Sequence, residues 1–180
     1  MRSAFDCGRK SFLWATIARP LLFCVFWQFV ICGFVVRAEA PTPEYTQKAK
    51  FLATISDYVK WPGTGGSPIT VGILGDDAFD GALDKMNVKR SKRVEDLKDC
   101  QIVFIAKSEQ GNVSAILAIL EGANILTVGE SEGFAKQGGV IGLVMEGEKV
   151  HSEINTSAAR RAGLGIDLRL LKFASRVFSS

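Results

Sequence analysis

The strongest chemical motif in this chain is a G-x-S-x-G pattern at residues 129–133, in which Ser131 is the candidate nucleophile. In α/β-hydrolases this pattern exposes a serine at a turn between a strand and a helix. Such a serine needs a histidine as its base and an acidic residue that orients the histidine. His151 is the only histidine in the chain. Because His151 falls in a segment with the alternating pattern of a hairpin strand, we predict a polar turn at Ser131 and no enzymatic activity.

Nucleotide and metal sites also lack their usual residues. Gly72 and Gly75 follow an apolar run without completing G-x-G-x-x-G, and the chain has no G-x-x-x-x-G-K-[ST]. A single histidine does not make a zinc site. The carboxylates Asp76, Asp77 and Asp80 lack the spacing of an EF-hand, which leaves room only for an adventitious cation. We therefore predict no cofactor and no metal.

Two adjacent arginines, Arg160 and Arg161, are candidates for binding a small anionic ligand. They follow Asn155, which can cap a short helix and is a further candidate binding residue. A guanidinium group can receive a carboxylate or a phosphate with two parallel hydrogen bonds. The favoured interpretation is that both arginines are solvated or paired with Glu153 or Asp167.

Trp61 is the candidate contact for a protein partner, because exposed aromatic residues often anchor interfaces. It precedes Pro62, at the point where a first amphipathic helix is predicted to end. Large aromatic residues are more often simply buried. Core packing is therefore the favoured interpretation of Trp61.

The first 38 residues have the composition of an export signal. Basic residues are followed by an apolar run at 21–36 and then by small residues around Ala38. This run is shorter than the roughly 20 residues that span a bilayer. We predict a cleaved signal peptide at 1–38 and a periplasmic protein, with an uncleaved N-terminal anchor as the alternative.

Charge and cysteine content change once this segment is removed. Five of the 22 basic residues but only one of the 19 acidic residues lie within it, so the remaining chain has a net charge of −1. We therefore predict no nucleic-acid partner. Cys100 is then the one remaining cysteine, and the apolar residues 102–105 beside it predict a buried structural thiol.

The elements that must position these residues alternate between strand and helix. This order predicts a single α/β domain with a largely parallel central sheet, helices on both faces, and a C-terminal hairpin plus helices. The predicted elements are a linker at 39–44, helices at 45–60, 79–86, 113–120 and 134–137, strands at 69–74, 102–106 and 123–128, a weak edge strand at 88–94, a hairpin at 140–145 and 149–155, a short helix after 155–157 and a last helix at 167–177.

Several short stretches occur in a specific order: Lys48-Ala-Lys-Phe-Leu, Trp61-Pro62, Val71-Gly-Ile-Leu-Gly-Asp-Asp-Ala-Phe, Asp99-Cys-Gln-Ile-Val-Phe-Ile, Ile125-Leu-Thr-Val, Gly133-Phe-Ala, Gly138-Gly139-Val-Ile, Ile154-Asn155, Ala162-Gly163-Leu164 and Leu170-Leu171. With these stretches in order, residues 48–177 resemble the YfiR family of exported regulators. The domain is predicted to cover residues 45–178. Within it, Pro62, Cys100, Gly138, Gly139 and Gly163 are predicted to be structural.

The resemblance implies a periplasmic protein that binds the periplasmic sensor part of a membrane-bound diguanylate cyclase and represses it. Release of the repressor then raises cyclic-di-GMP and favours surface attachment. The founding member of the family carries disulfides that a lone Cys100 does not reproduce, so redox control is not expected here. The region at 87–94 is shorter than usual, so the partner could differ.

A periplasmic small-molecule-binding protein is the alternative function. In it, the strand ends near Gly75 and Val128, together with Arg160 or Arg161, would hold an anionic ligand at a crevice of the sheet. Homo-oligomers are compatible with either function.

Overall fold

The computed structural model describes residues 42–63 and 68–179, and the predicted signal peptide lies outside these ranges. Within them, no helix has the length and apolar character that a membrane span requires. The helices are α1 (Pro43–Ile55), α2 (Val113–Leu120), α3 (Thr156–Arg161) and α4 (Leu168–Phe173), with 3₁₀ turns at Ser56–Tyr58, Val94–Leu97 and Lys107–Asn112; the strands are β1 (Val59–Lys60), β2 (Thr70–Leu74), β3 (Asn87–Ser91), β4 (Ile102–Ile105), β5 (Leu126–Gly129), β6 (Ile141–Glu146), β7 (Lys149–Asn155), β8 (Gly165–Ile166) and β9 (Arg176–Phe178).

Seven of these strands form one sheet in the order β3-β2-β4-β5-β6-β7-β9. All neighbours run parallel except β6 and β7, which form the antiparallel hairpin. The predicted α/β domain with a largely parallel sheet and a C-terminal hairpin is therefore confirmed. A separate two-stranded sheet joins β1 to β8, with Val59 opposite Ile166.

Alternate residues of the central strands point to two different apolar layers. In β4, Ile102 and Phe104 lie in one cluster and Val103 and Ile105 in the other. This period of two is what a strand buried on both faces requires. Helices α1, α3 and α4 pack in the first layer and α2 in the second, so helices cover both faces as predicted.

The first helix begins and ends earlier than the sequence predicts. It starts at Pro43, inside the predicted linker, because proline fits the first turn of a helix, where its missing N–H is not needed. It ends at Ile55 rather than near Lys60. The following residues tighten into a 3₁₀ turn and then enter β1, where Val59 gains a strand partner.

The segment predicted as a helix at 79–86 is instead a series of turns. Its backbone hydrogen bonds join residues three apart, and Asp80 and Gly81 have φ values of 43° and 84°, which a helix does not accept. Phe79 and Leu83 are nevertheless buried. The apolar spacing therefore identified the core residues correctly but not their secondary structure.

Two other helices, predicted at 134–137 and at 167–177, also differ from the prediction. Residues 134–137 form turns that end at Gly138, whose φ is 105°. The last helix stops at Phe173, because residues 176–178 pair with β7 as strand β9. This pairing also covers the outer edge of β7 at residues 153–155, and Glu153 is buried.

Candidate functional site

A buried polar cluster lies at the carboxyl ends of the central strands. Lys48 on α1 and Glu130, directly after β5, form an ion pair whose side chains are 2% and 5% exposed. The ammonium group of Lys48 also contacts Glu44, one turn earlier on α1. Glu130 Oε1 accepts a hydrogen bond of 2.7 Å from the backbone N–H of Lys107, and Glu130 Oε2 accepts one of 3.1 Å from the Tyr45 hydroxyl.

This cluster joins α1 to the ends of β4 and β5 and offers no free reactive group. Both oxygens of Glu130 are occupied by donors, and burial together with the negative charge of Glu130 raises the pKa of Tyr45, so the phenol remains a donor. The Tyr45 ring packs edge-on against Phe79 with centroids 5.4 Å apart. Sequence reasoning missed the pair, although Lys48 lies four residues before the buried Leu52 and so on the buried face of α1.

The G-x-S-x-G motif does not assemble a catalytic set in the described part of the chain. Ser131 is buried and its hydroxyl has no hydrogen-bond partner there, so His151 does not activate it. The His151 ring instead lies 4.0 Å from Glu146 across the hairpin. The motif forms the polar turn that the sequence predicts.

Trp61 lies at the edge of the core. Its side chain is half-buried, packs against the first apolar layer, and donates a hydrogen bond of 3.2 Å from Nε1 to the carbonyl of Gln101. These contacts agree with the interpretation of Trp61 as a packing residue.

Cys100 is buried, as its apolar surroundings predict. Burial and the nearby charge of Asp99 raise the pKa of the thiol to about 11. The thiol is therefore protonated at neutral pH and a poor nucleophile.

The glycines predicted to be structural have geometries that a side chain would disturb. A Cβ at Gly139 would lie 2.0 Å from the buried ring of Phe134. Gly163 has a φ of 71°, and a Cβ there would lie 2.6 Å from Asn124 Oδ1 and 3.8 Å from Pro62. Close backbone approach explains glycine at both positions.

Of the candidate anion-binding residues, the structure places Arg161 and Asn155 on one cleft, and Arg160 lines neither of the two clefts described below. Asn155 caps α3 by accepting a hydrogen bond of 2.9 Å from the Ala158 N–H, and its amide donates to the carbonyl of Ala135 at 2.7 Å. Arg160 donates a hydrogen bond of 3.3 Å from Nη2 to the hydroxyl of Ser157.

Arg160 and Arg161 are both exposed, in line with the interpretation of solvated arginines, and neither pairs with Glu153 or Asp167. Glu153 pairs with Arg176 at 3.2 Å and Asp167 with Arg169 at 3.0 Å. Arg176 lies opposite Glu153 because β9 pairs with β7, and Arg169 follows Asp167 by two residues at the start of α4.

Arg161 lines two adjoining clefts of about 250 and 380 Å³. They lie between α2, α3 and the turn before β6, beside residues 122–127 that lead into β5. Gly75 follows the carboxyl end of β2, at the opposite edge of the parallel sheet. The predicted site that combines Gly75, Val128 and Arg161 is therefore wrong, while Arg161 remains beside a cleft of its own.

Asp76 and Asp77 do not converge on a cation site. Asp76 lies 3.4 Å from Lys92, and Asp77 pairs with Arg90 while accepting a hydrogen bond from the Phe79 N–H. In residues 42–63 and 68–179, no three His, Cys, Asp or Glu side chains are grouped as metal ligands would be.

A comparison with models of protein families tests the family resemblance that the short sequence stretches indicate. Residues 45–175 match the model of a family described as YfiR/HmsC-like. This chain belongs to the YfiR/HmsC-like family. YfiR/HmsC-like proteins are periplasmic in general and are regulatory rather than catalytic.

Solved structures share the fold of this YfiR/HmsC-like domain. An ABC domain from Streptococcus pneumonia, in complex with L-Trp, is 12% identical with a TM-score of 0.54 over 76% of this chain and 60% of that one. A conserved domain protein from Vibrio cholerae O1 biovar El Tor is 11% identical with a TM-score of 0.55 over 74% and 60%. The chain thus spans less than two thirds of either protein, and identities this low show the fold alone. No curated protein sequence matches the chain.

Proposed function

We propose that the protein is an exported, non-enzymatic regulator that binds the periplasmic sensor part of a membrane diguanylate cyclase and represses it. In this role it controls the level of cyclic-di-GMP without catalysing a reaction. Family membership and the incomplete catalytic set around Ser131 support the proposal.

The observation that carries the proposal is a set of three exposed large apolar residues on α4 and β9. Leu168 and Phe173 on α4 are 73% and 81% exposed, and Val177 on β9 is 44% exposed. We call these three residues the α4–β9 surface. Scattered exposed apolar residues are common, but large ones on consecutive elements are typical of a protein–protein contact.

The α4–β9 surface is carried by a firmly held helix. Asp167 caps α4 by accepting a hydrogen bond of 2.8 Å from the Arg169 N–H, and the Arg169 guanidinium stacks on Tyr58 at 5.2 Å. Leu170 anchors the same helix in the core. Because the helix is already ordered, docking through its exposed side chains loses little conformational entropy.

Basic side chains accompany the apolar ones. Lys172 on α4 is exposed, and no described carboxylate lies within ion-pair distance of it. Arg176 on β9 is also largely exposed. Charge complementarity therefore predicts a partner surface with an apolar centre and carboxylates at its rim.

The proposal is tested with mature protein recovered from the periplasm of cells that express the full chain. Immobilised wild-type protein is incubated with solubilised membranes of the source organism, and captured membrane proteins are identified by mass spectrometry. The test variant is L168A/F173A. The matched control is I119A, since Ile119 is 37% exposed on α2, which packs on the other face of the sheet.

We expect wild type and I119A to capture a membrane protein with a diguanylate cyclase domain and the double variant to lose it. Cells with the double variant should also have raised cyclic-di-GMP. A wild-type protein that captures no cyclase from membranes known to contain one would refute the function. A double variant that melts like wild type and still captures the cyclase would refute only the assignment of the surface.

A further inference from the structure

We propose that the two adjoining clefts at Arg161 form a binding site for a small organic anion with an apolar tail. The site shares no residue with the α4–β9 surface, although Phe178, next to Val177 on β9, lines the larger cleft, and it does not depend on the function proposed above.

The first argument is the available charge of Arg161. The two carboxylates nearest in sequence, Glu153 and Asp167, are held by other arginines. No described carboxylate lies within 4.0 Å of the Arg161 guanidinium. Its hydrogen-bond donors are therefore free to receive a ligand carboxylate or phosphate.

The second argument is the shape around that charge. The two clefts share Gln137, Gly138 and Arg161, so the guanidinium group stands where they meet. Gly138 has a φ of 105°, and a Cβ there would lie 3.9 Å from Arg161 Nη2. Glycine therefore keeps a side chain out of the space beside the guanidinium.

The third argument is the separation of polar and apolar walls. The larger cleft is lined by Lys136 as well as Arg161 and has no carboxylate among its lining residues. The smaller cleft has apolar walls from Leu117, Ile125 and Val140, with Glu121 as its one acidic lining residue. An anionic group is therefore favoured in the larger cleft and an apolar tail in the smaller one.

The size of the clefts limits the ligand. Volumes of about 250 and 380 Å³ lie near the lower end of the roughly 300–1,000 Å³ that is usual for small-molecule sites. A short-chain carboxylate or a small aromatic acid fits this space, and a dinucleotide does not. Hexanoate is therefore a suitable probe, and hexanamide has the same tail without the charge.

The test is a titration of ¹⁵N-labelled mature protein, purified from the periplasm after expression of the full chain, followed by amide chemical shifts. Hexanoate and hexanamide are titrated into wild type, R161Q and R160Q. Arg160 is the matched control, because it neighbours Arg161 and is exposed but bonds to Ser157 and lines neither cleft. A118F adds a steric test, since Ala118 is an exposed position of α2 that lines the apolar cleft.

We expect saturable shifts from hexanoate at residues 117–125, 136–140 and 157–162. R161Q and A118F should each weaken binding about tenfold, and R160Q should bind like wild type. Hexanamide should bind at least about tenfold more weakly than hexanoate. The site is refuted if hexanoate gives no saturable shifts in wild type, if hexanamide binds equally well, or if R160Q loses as much affinity as R161Q.

Discussion

The ammonium group of Lys48 contacts the carboxylate of Glu130, although 82 residues separate them in the chain and both side chains are almost fully buried. Each charge has lost its hydration shell and depends on the other. Such a pair contributes little net stability compared with apolar residues of the same size, but leaving one charge alone is strongly unfavourable. The pair therefore fixes where α1 sits on the sheet.

Replacing Lys48 should destabilise the protein severely. We expect Lys48→Met to lower the free energy of unfolding by about 3 to 5 kcal/mol, because Glu130 would be left buried without its charged partner. Urea denaturation followed by circular dichroism measures the loss. Lys50→Met is the control, since Lys50 is exposed on the same helix, and it should stay within about 0.5 kcal/mol of wild type.

The same pair predicts strong coupling between the two positions. Glu130→Met alone should also be destabilising, and the double variant should lose clearly less than the two single losses added together. Additive losses would show that Lys48 and Glu130 stabilise the protein independently.

Gly139→Ala should disrupt the core beneath the turn before β6. The new methyl group would lie 2.0 Å from the Phe134 ring, and overpacking of this kind lowers stability by about 1 to 3 kcal/mol. Thermal melting of Gly139→Ala and of Gly111→Ala provides the comparison, because a Cβ at Gly111 meets nothing within 4 Å. Equal melting temperatures for the two variants would contradict the close approach of Gly139 to Phe134.

Asn155 should act mainly by capping α3, although its side chain also lines the larger cleft at Arg161. Asn155→Ala removes both the cap of α3 and the bond to the Ala135 carbonyl, and we expect a loss of about 1 to 3 kcal/mol in urea denaturation. Asn155→Ser keeps a capping oxygen but does not reach Ala135. The serine variant should therefore lose less free energy of unfolding than Asn155→Ala. Equal losses for the two variants would argue against a capping role of Asn155.

Cys100 should resist thiol reagents in the native protein. Its pKa of about 11 means that the native state holds the proton more tightly than the unfolded chain does. The resulting stabilisation is complete at neutral pH and is lost as pH rises from the ordinary thiol range toward 11.

The reactivity of Cys100 with Ellman's reagent at pH 8 provides the measurement. We expect a slow reaction in native protein, a fast one in urea, and a faster native reaction in Lys48→Met, because opening of the fold would limit access. Rapid labelling of the native wild type would show that Cys100 is accessible.

The sequence predicts the buried strands and α2 well, because these elements depend on local patterns. Residues 102–105 are apolar without interruption, as a strand buried on both faces requires, and the helix at 113–120 has the predicted ends. The family resemblance also comes from short local stretches. These features do not need knowledge of distant contacts.

The errors arise where a distant contact overrides the local pattern. Residues 176–178 have apolar spacing that a helix would accept, but the exposed edge of β7 offers hydrogen bonds and draws them into β9. The ion pair of Glu153 with Arg176 depends on that same pairing, whereas Asp167 pairs locally with Arg169. Lys48 was missed because burial of a lysine requires a carboxylate that lies far away in the sequence.

The pairing of β1 with β8 joins two elements from opposite ends of the domain, with Val59 opposite Ile166. A chain delivered from its N-terminus cannot complete β1 until residue 166 is also available. Contacts between residues so far apart in the sequence slow folding, because β1 has no strand partner until β8 is present. A protease that trims the C-terminus past residue 165 would therefore release the N-terminal strand as well, and incomplete or clipped copies would be exposed to degradation from both ends.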